Sequence, residues 1–224
     1  MKQVMENTMS TQVGEGFELP GFVAVIRREI LPTLAAALVV ACFTFSAGET
    51  PLPAFGWAAA FLFLCVHQDV RDMRLRNWLT LPALALAIAV SAFEGGFHGA
   101  LGSLTGAATA LGLLFVPFAF RWLGAGDVKA VMVLGALWGA GNLLPALWWM
   151  IVAGGVMAIA VIAVQGALFD LLRRWALSAK HTLLFRRVVY FAPDSESPAA
   201  KGLPFAVAMG LGAAAQQLWG SAWI

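Results

Sequence analysis

The sequence predicts an all-α membrane protein that crosses the bilayer about seven times. Its residues are 61% hydrophobic and only 12% charged, whereas a soluble globular chain carries about 25% charged residues. The apolar residues form long uncharged runs, which polar or glycine-rich segments separate. All 14 Lys and Arg residues lie in alternate separating segments, as in a polytopic protein with one positive side. These observations exclude an ordinary soluble domain.

Seven segments are each close to the roughly 20 residues (range about 17–25) with which a helix crosses the hydrocarbon core. The longest run, 130–169, has no charge and is about twice the length that one crossing needs. We therefore predict that it turns back at residues 139–142, which read GAGN. In chain order, the predicted spans are 31–47, 52–68, 78–93, 99–120, the two halves of 130–169, and 203–219.

These spans divide the chain into three predicted parts. Residues 1–30 form a polar tail, residues 31–47 an additional span, and residues 48–224 a six-span membrane domain. That domain contains a basic loop at 170–201, whose first part also carries apolar side chains. We expect part of this loop to lie along the membrane surface.

The basic residues also predict the orientation. They precede the first span or lie between spans 2 and 3, 4 and 5, and 6 and 7, while the segments on the other side carry no Lys or Arg. The positive-inside rule therefore places the N-terminus and all of these basic segments in the cytoplasm.

Two acids share that cytoplasmic boundary in the predicted topology. Asp69 follows the second span and Asp127 begins the fifth. Carboxylates at membrane depth are costly unless they are paired, hydrated or functional. Each acid also has a purely structural interpretation. Asp127 can be explained as the N-cap of the following helix. Asp69 can be explained as an interfacial acid that Arg71 and Arg74 neutralise.

Two carboxylates that face each other provide the chemistry of aspartic proteolysis. Because like charges repel, such a pair shares one proton and titrates in two separated steps. The ionised partner activates a water, and the protonated partner polarises the scissile carbonyl. The three histidines are scattered, so we expect no metal, and we also expect no cofactor. Serine-type catalysis is poorly supported, because neither a GxSxG elbow nor a suitable Ser–His pair is present.

The motifs around the two acids resemble those of the type IV prepilin peptidases, in particular the short forms of tight-adherence (Flp) pilus systems. Residues 69–77, DVRDMRLRN, resemble the family's first motif, and residues 124–129, GAGDVK, match its second. Residues 134–139, LGALWG, and 203–208, LPFAVA, are also similar to family sequence. The likeness extends from Leu52 to about Leu218.

The resemblance implies a peptidase of the bacterial inner membrane that cuts the leader from prepilin-like substrates at the cytoplasmic face. Asp69 and Asp127 would be the catalytic pair. The residues expected to support them are Gly124, Gly126, Lys129, Arg71, Arg74 and Asn77. The arginines also serve as topogenic charges. The substrate would have a short basic leader followed by an apolar helix, which would lie in the bilayer beside spans 2 and 5. We expect no nucleic-acid partner, and the sequence does not indicate an oligomeric state.

Several departures keep alternatives open. Arg76 replaces the family's proline, and the span at 31–47 is additional to the family's six-span core. The cytoplasmic domain with paired CxxC motifs found in larger, methylating members is not present, so we do not predict methyltransferase activity. The alternatives are a transporter subunit that uses the two acids for ion or proton passage, and a catalytically inactive scaffold with the same fold.

Overall fold

The structure, a computed structural model, describes residues 26–46, 52–166, 168–185 and 203–219. All regular elements in these ranges are helical, which confirms the predicted all-α class. A π-helical turn, Ile26–Ile30, precedes α1 (Leu31–Ser46), α2 (Leu52–Asp72), α3 (Asn77–Ala119), α4 (Ala125–Val164), α5 (Leu168–Phe185) and α6 (Phe205–Trp219).

Three helices in the described residues are long and apolar enough to cross a membrane: Arg28–Ser46, Asn77–Ala119 and Ala125–Val164. They identify the chain as a membrane protein. The count of seven crossings and the cytoplasmic N-terminus stay predictions.

The two longest helices each fold back at a glycine. Helix α3 has 43 residues, which would extend about 65 Å if straight, more than twice the roughly 30 Å hydrocarbon core. Its Gly96 has φ 58° and ψ −142°. A Cβ on Gly99 would overlap the carbonyl of Ser91. This contact is impossible in a straight helix, in which two residues eight positions apart are separated by about 12 Å. The chain therefore reverses between the predicted spans 78–93 and 99–120.

Helix α4 reverses in the same way at Gly139, which has φ 73° and ψ 169°. A Cβ on Gly135 would lie 3.1 Å from Cδ2 of Leu143, so the two limbs of α4 pack side by side. The reversal lies inside the predicted turn at 139–142. Glycine adopts such positive φ angles at little cost, which is why both reversals occur at this residue type.

Close contacts at glycines bring the helices together. Gly106 of α3 packs against the backbone of Gly135, and Gly212 of α6 packs against the backbone of Met150 in the second limb of α4. Small residues allow this approach, and membrane helices use it because lipid provides little hydrophobic driving force for helix association.

Helix α1, the predicted additional span, is part of this bundle. It packs against α2 and α6, with Ala36 and Phe43 fully buried. Its Val39 lies where a Cβ on Gly210 of α6 would be. The additional helix therefore contacts and supports both α2 and α6.

Two predicted segments are described only in part. These are the polar tail, of which 26–30 is described, and the basic loop 170–201, of which 170–185 is described. The described part of the loop belongs to α5, which exposes the apolar Leu172 and Trp175 together with the basic Arg173 and Lys180. Its predicted position along the membrane surface stays a prediction.

Candidate active site

Asp69 lies in the last turn of α2 and is almost completely buried, with 4% of its surface exposed. Its Oδ2 atom accepts a hydrogen bond of 2.9 Å from the backbone N–H of Ala206. Ala206 is the second residue of α6, and the first N–H groups of a helix have no partner within that helix. The positive end of the α6 dipole therefore faces the Asp69 carboxylate.

Asp127 is the third residue of α4 and is half-buried. Its Oδ2 atom accepts a hydrogen bond of 3.2 Å from the backbone N–H of Gly124. The N-cap of α4 is not Asp127, as the sequence suggests, but Gly124, which is extended with φ −73° and ψ 150°. The Asp127 carboxylate instead reaches back to the N-cap from the third helical position, as in one arm of a capping box.

The structure brings the two acids together at one end of the bundle. Gly126, next to Asp127, contacts Leu75 in the loop that follows Asp69. Cys65 lies one turn before Asp69 and is fully buried. In the part of the chain that the structure describes, the Oδ1 atoms of the two acids have no hydrogen-bond partner. Each acid therefore keeps one oxygen available for a water or a substrate.

Gly126 allows the two motifs to approach. A Cβ at this position would lie 2.7 Å from the carbonyl oxygen of Leu75 and 2.9 Å from its Cβ. The first turn of α4 is thus packed directly on the loop that follows α2. A side chain at Gly126 would push this loop, and Asp69 before it, away from Asp127.

A hydrogen bond between side chains also joins the motifs. The Nζ atom of Lys129 donates to Oδ1 of Asn77 at 2.7 Å. This bond links the start of α4 to the start of α3, and the predicted role of both residues in supporting the site stays a prediction.

The two predicted arginines take different roles. Arg71 forms an ion pair with Glu29 at 3.2 Å and lies 3.8 Å from Asp72. This contact with Glu29, which the motifs did not indicate, links the segment before α1 to the end of α2. Arg74 is exposed and has no ion-pair partner among the described residues.

The loop between α2 and α3 is fixed around Arg76, where the resembled family has proline. Arg76 is extended, with φ −88° and ψ 145°, close to the φ that proline prefers. Its backbone N–H, which proline lacks, donates to Oε1 of the buried Gln68 at 3.0 Å. Its guanidinium pairs with Asp72 at 3.0 Å. The loop conformation is therefore held by contacts that a proline would not make.

Sequence reasoning did not identify Gln68 or the role of Ala206. Gln68 directly precedes Asp69, and a polar residue at the end of an apolar run was the only signal. Ala206 acts through its backbone, so its identity carries no signal, although the family-like segment 203–208 contains it. No cluster of three or more His, Cys, Asp or Glu that could hold a metal occurs within the described ranges.

Comparison with known proteins supports the resemblance that the motifs indicate. The sequence shows no significant match to a curated protein or to a solved structure. Residues 55–159, which contain both acids and the loops around them, match the sequence profile of the type IV leader peptidase family. This match is to the family that the two motifs indicated, and it supports a leader-peptidase-like function.

Proposed function

We propose that this chain is an aspartic endopeptidase that cleaves the leader of type IV prepilin-like substrates at the cytoplasmic membrane face. The observation that carries the proposal is the meeting of the two acidic motifs: Asp69 is in the last turn of α2, Asp127 is in the first turn of α4, and Gly126 packs directly on Leu75 between them. The leader-peptidase match over 55–159 supports the reaction class, and the Flp-type resemblance of the motifs supports the substrate class.

The chemistry requires one proton shared between the two carboxyl groups, which repulsion between them favours. The ionised carboxylate takes a proton from a water as the water attacks the scissile carbonyl carbon. The protonated carboxyl group donates a hydrogen bond to the carbonyl oxygen. The proton taken from the water then passes to the leaving amine, so the C–N bond breaks and the pair regains its starting state.

The hydrogen bonds from Ala206 and Gly124 would orient the two carboxyl groups for this reaction. Each uses one Oδ2 atom, which leaves the Oδ1 atoms for the water and the substrate. A transporter is less well supported, because both acids lie at one end of the bundle, whereas ion passage requires polar groups across the membrane depth.

The test is leader cleavage of a co-expressed prepilin by Asp69→Asn and Asp127→Asn variants, followed by N-terminal sequencing of the product. Each variant should lose cleavage by at least about a thousandfold, the scale on which loss of a catalytic group acts. Protein level and membrane insertion should not change.

Asp72→Asn is the matched control. Asp72 is three residues from Asp69 on the same helix, but it is exposed and pairs with Arg71 and Arg76. It should keep most of the activity. An inactive Asp72→Asn together with an active Asp69→Asn would contradict the assignment of the pair.

A further inference from the structure

An apolar groove of about 440 Å³ opens beside the candidate active site. Its walls come from the end of α3, the loop before α4, the second limb of α4 and the start of α6. The twelve lining residues include no charged residue, and Trp122, Ile151, Met157 and Phe205 are among them. Ile151 and Trp122 are 57% and 77% exposed, so the groove is open along the outer face of the bundle.

Two residues in the wall of the groove are chain neighbours of the two backbone groups that hold the acids. Phe205, in its wall, directly precedes Ala206, whose N–H binds Asp69. Leu123, also in its wall, directly precedes Gly124, whose N–H binds Asp127. The groove therefore adjoins the residues that orient both carboxyl groups.

The size of the groove fits one face of an apolar helix. The lining residues of α4 extend from Leu147 to Met157, a length of about 15 Å along a helix. Its volume lies within the roughly 300–1,000 Å³ of ordinary ligand pockets. A helix is about 10 Å across, so the groove takes the side chains of one face rather than the whole helix.

We infer that this groove binds the apolar helix that follows the cleavage junction of the substrate. The inference rests on the proposed function, since it needs a substrate in which an apolar helix begins directly after the scissile bond. It places that helix against α6 and the second limb of α4, and not beside spans 2 and 5 as the sequence suggested.

Two matched positions on α4 test the inference. Ile151 and Ile159 are both 57% exposed, but only Ile151 lines the groove. A photo-crosslinking residue at each position would be tested in membranes against a prepilin-like substrate with a basic leader and an apolar helix. The crosslink to the substrate helix should form from position 151 and not from position 159.

A kinetic measurement with tryptophan at the same positions completes the test. Ile151→Trp should slow cleavage of the full substrate by about tenfold, as expected when extra volume must be accommodated. It should not slow cleavage of a short peptide that contains the leader and junction but no apolar helix. Ile159→Trp should change neither rate.

The outcomes separate this inference from the proposed function. Equal crosslinking from both positions, or equal rates for the two tryptophan variants, would overturn the inference, as expected of a surface that contacts lipid acyl chains only. A wild-type protein that cleaves neither substrate would overturn the proposed function. Crosslinking from position 151 would then still support the groove as a site for an apolar helix.

Discussion

The backbone N–H of Ala206 donates a 2.9 Å hydrogen bond to Oδ2 of Asp69, a residue 137 positions earlier in the chain. Ala206 lies outside the family-matched region 55–159. Close contacts fix α6 in this position, because Gly210 packs on Val39 of α1 and Gly212 packs on the backbone of Met150. The surroundings of Asp69 thus depend on helices from both ends of the chain.

Gly212→Ala should lower both cleavage activity and thermal stability in detergent. The added Cβ would overlap the backbone N and Cα atoms of Met150, which cannot move aside as the end of a flexible side chain can. Helix α6 must then shift and carry the Ala206 N–H away from Asp69. Overpacking of this kind costs about 1–3 kcal/mol.

Gly155→Ala is the control for this prediction, because a Cβ on Gly155 would meet no atom within 4 Å. It should leave the melting temperature and the cleavage rate unchanged. A Gly212→Ala variant that melts lower but cleaves at the wild-type rate would show that the Ala206 contact does not affect catalysis.

The sequence predicted that the two acids lie at one end of the bundle, but it did not predict the hydrogen bonds that hold them. Asp69 and Asp127 could be placed at one end because charge-free runs define spans and basic residues define sides. The hydrogen bond from Ala206 could not be predicted, because a backbone donor has no characteristic side chain. The start of α4 was also misplaced, since glycine at position 124 serves as an N-cap nearly as well as the polar residues usually found there.

The contact between Gln68 and Arg76 should behave as a coupled pair. Gln68→Ala removes the acceptor of the Arg76 N–H and should slow cleavage about 2- to 10-fold, the range that corresponds to one ordinary hydrogen bond. Arg76→Pro removes the donor itself. In that background Gln68→Ala should have little further effect, and a double-mutant cycle measures the difference.

Arg76→Ala is the matched control for this cycle, because it removes the guanidinium and keeps the backbone N–H. Gln68→Ala should slow cleavage as much in the Arg76→Ala background as in the wild type. Equal effects of Gln68→Ala in all three backgrounds would mean that Gln68 acts through a contact other than the Arg76 N–H.

Reporter fusions should locate the two chain reversals on the side of the membrane opposite to the acids. One limb of α3, from Asn77 to Gly96, is about 30 Å long, which is the thickness of the hydrocarbon core. Fusions after Gly96 and Gly139 should therefore report a periplasmic location, and fusions after Asn77 and Ser195 a cytoplasmic one. A cytoplasmic signal after Gly96 would contradict the assigned topology.

The position of the acids also restricts which peptide bond is cleaved. Asp69 lies in the last turn of α2 and Asp127 in the first turn of α4, so both are at the end of the bundle that we assign to the cytoplasm. Moving the cleavage glycine of a prepilin four residues into its apolar helix would place the bond about 6 Å deeper. We expect this substrate to escape processing, as measured by N-terminal sequencing of the pilin.

Inserting four apolar residues farther along the same helix is the control, because the insertion leaves the junction in place. This substrate should be cleaved normally. Cleavage at the displaced glycine would show that the acids act within the bilayer and would contradict their assignment to its cytoplasmic boundary.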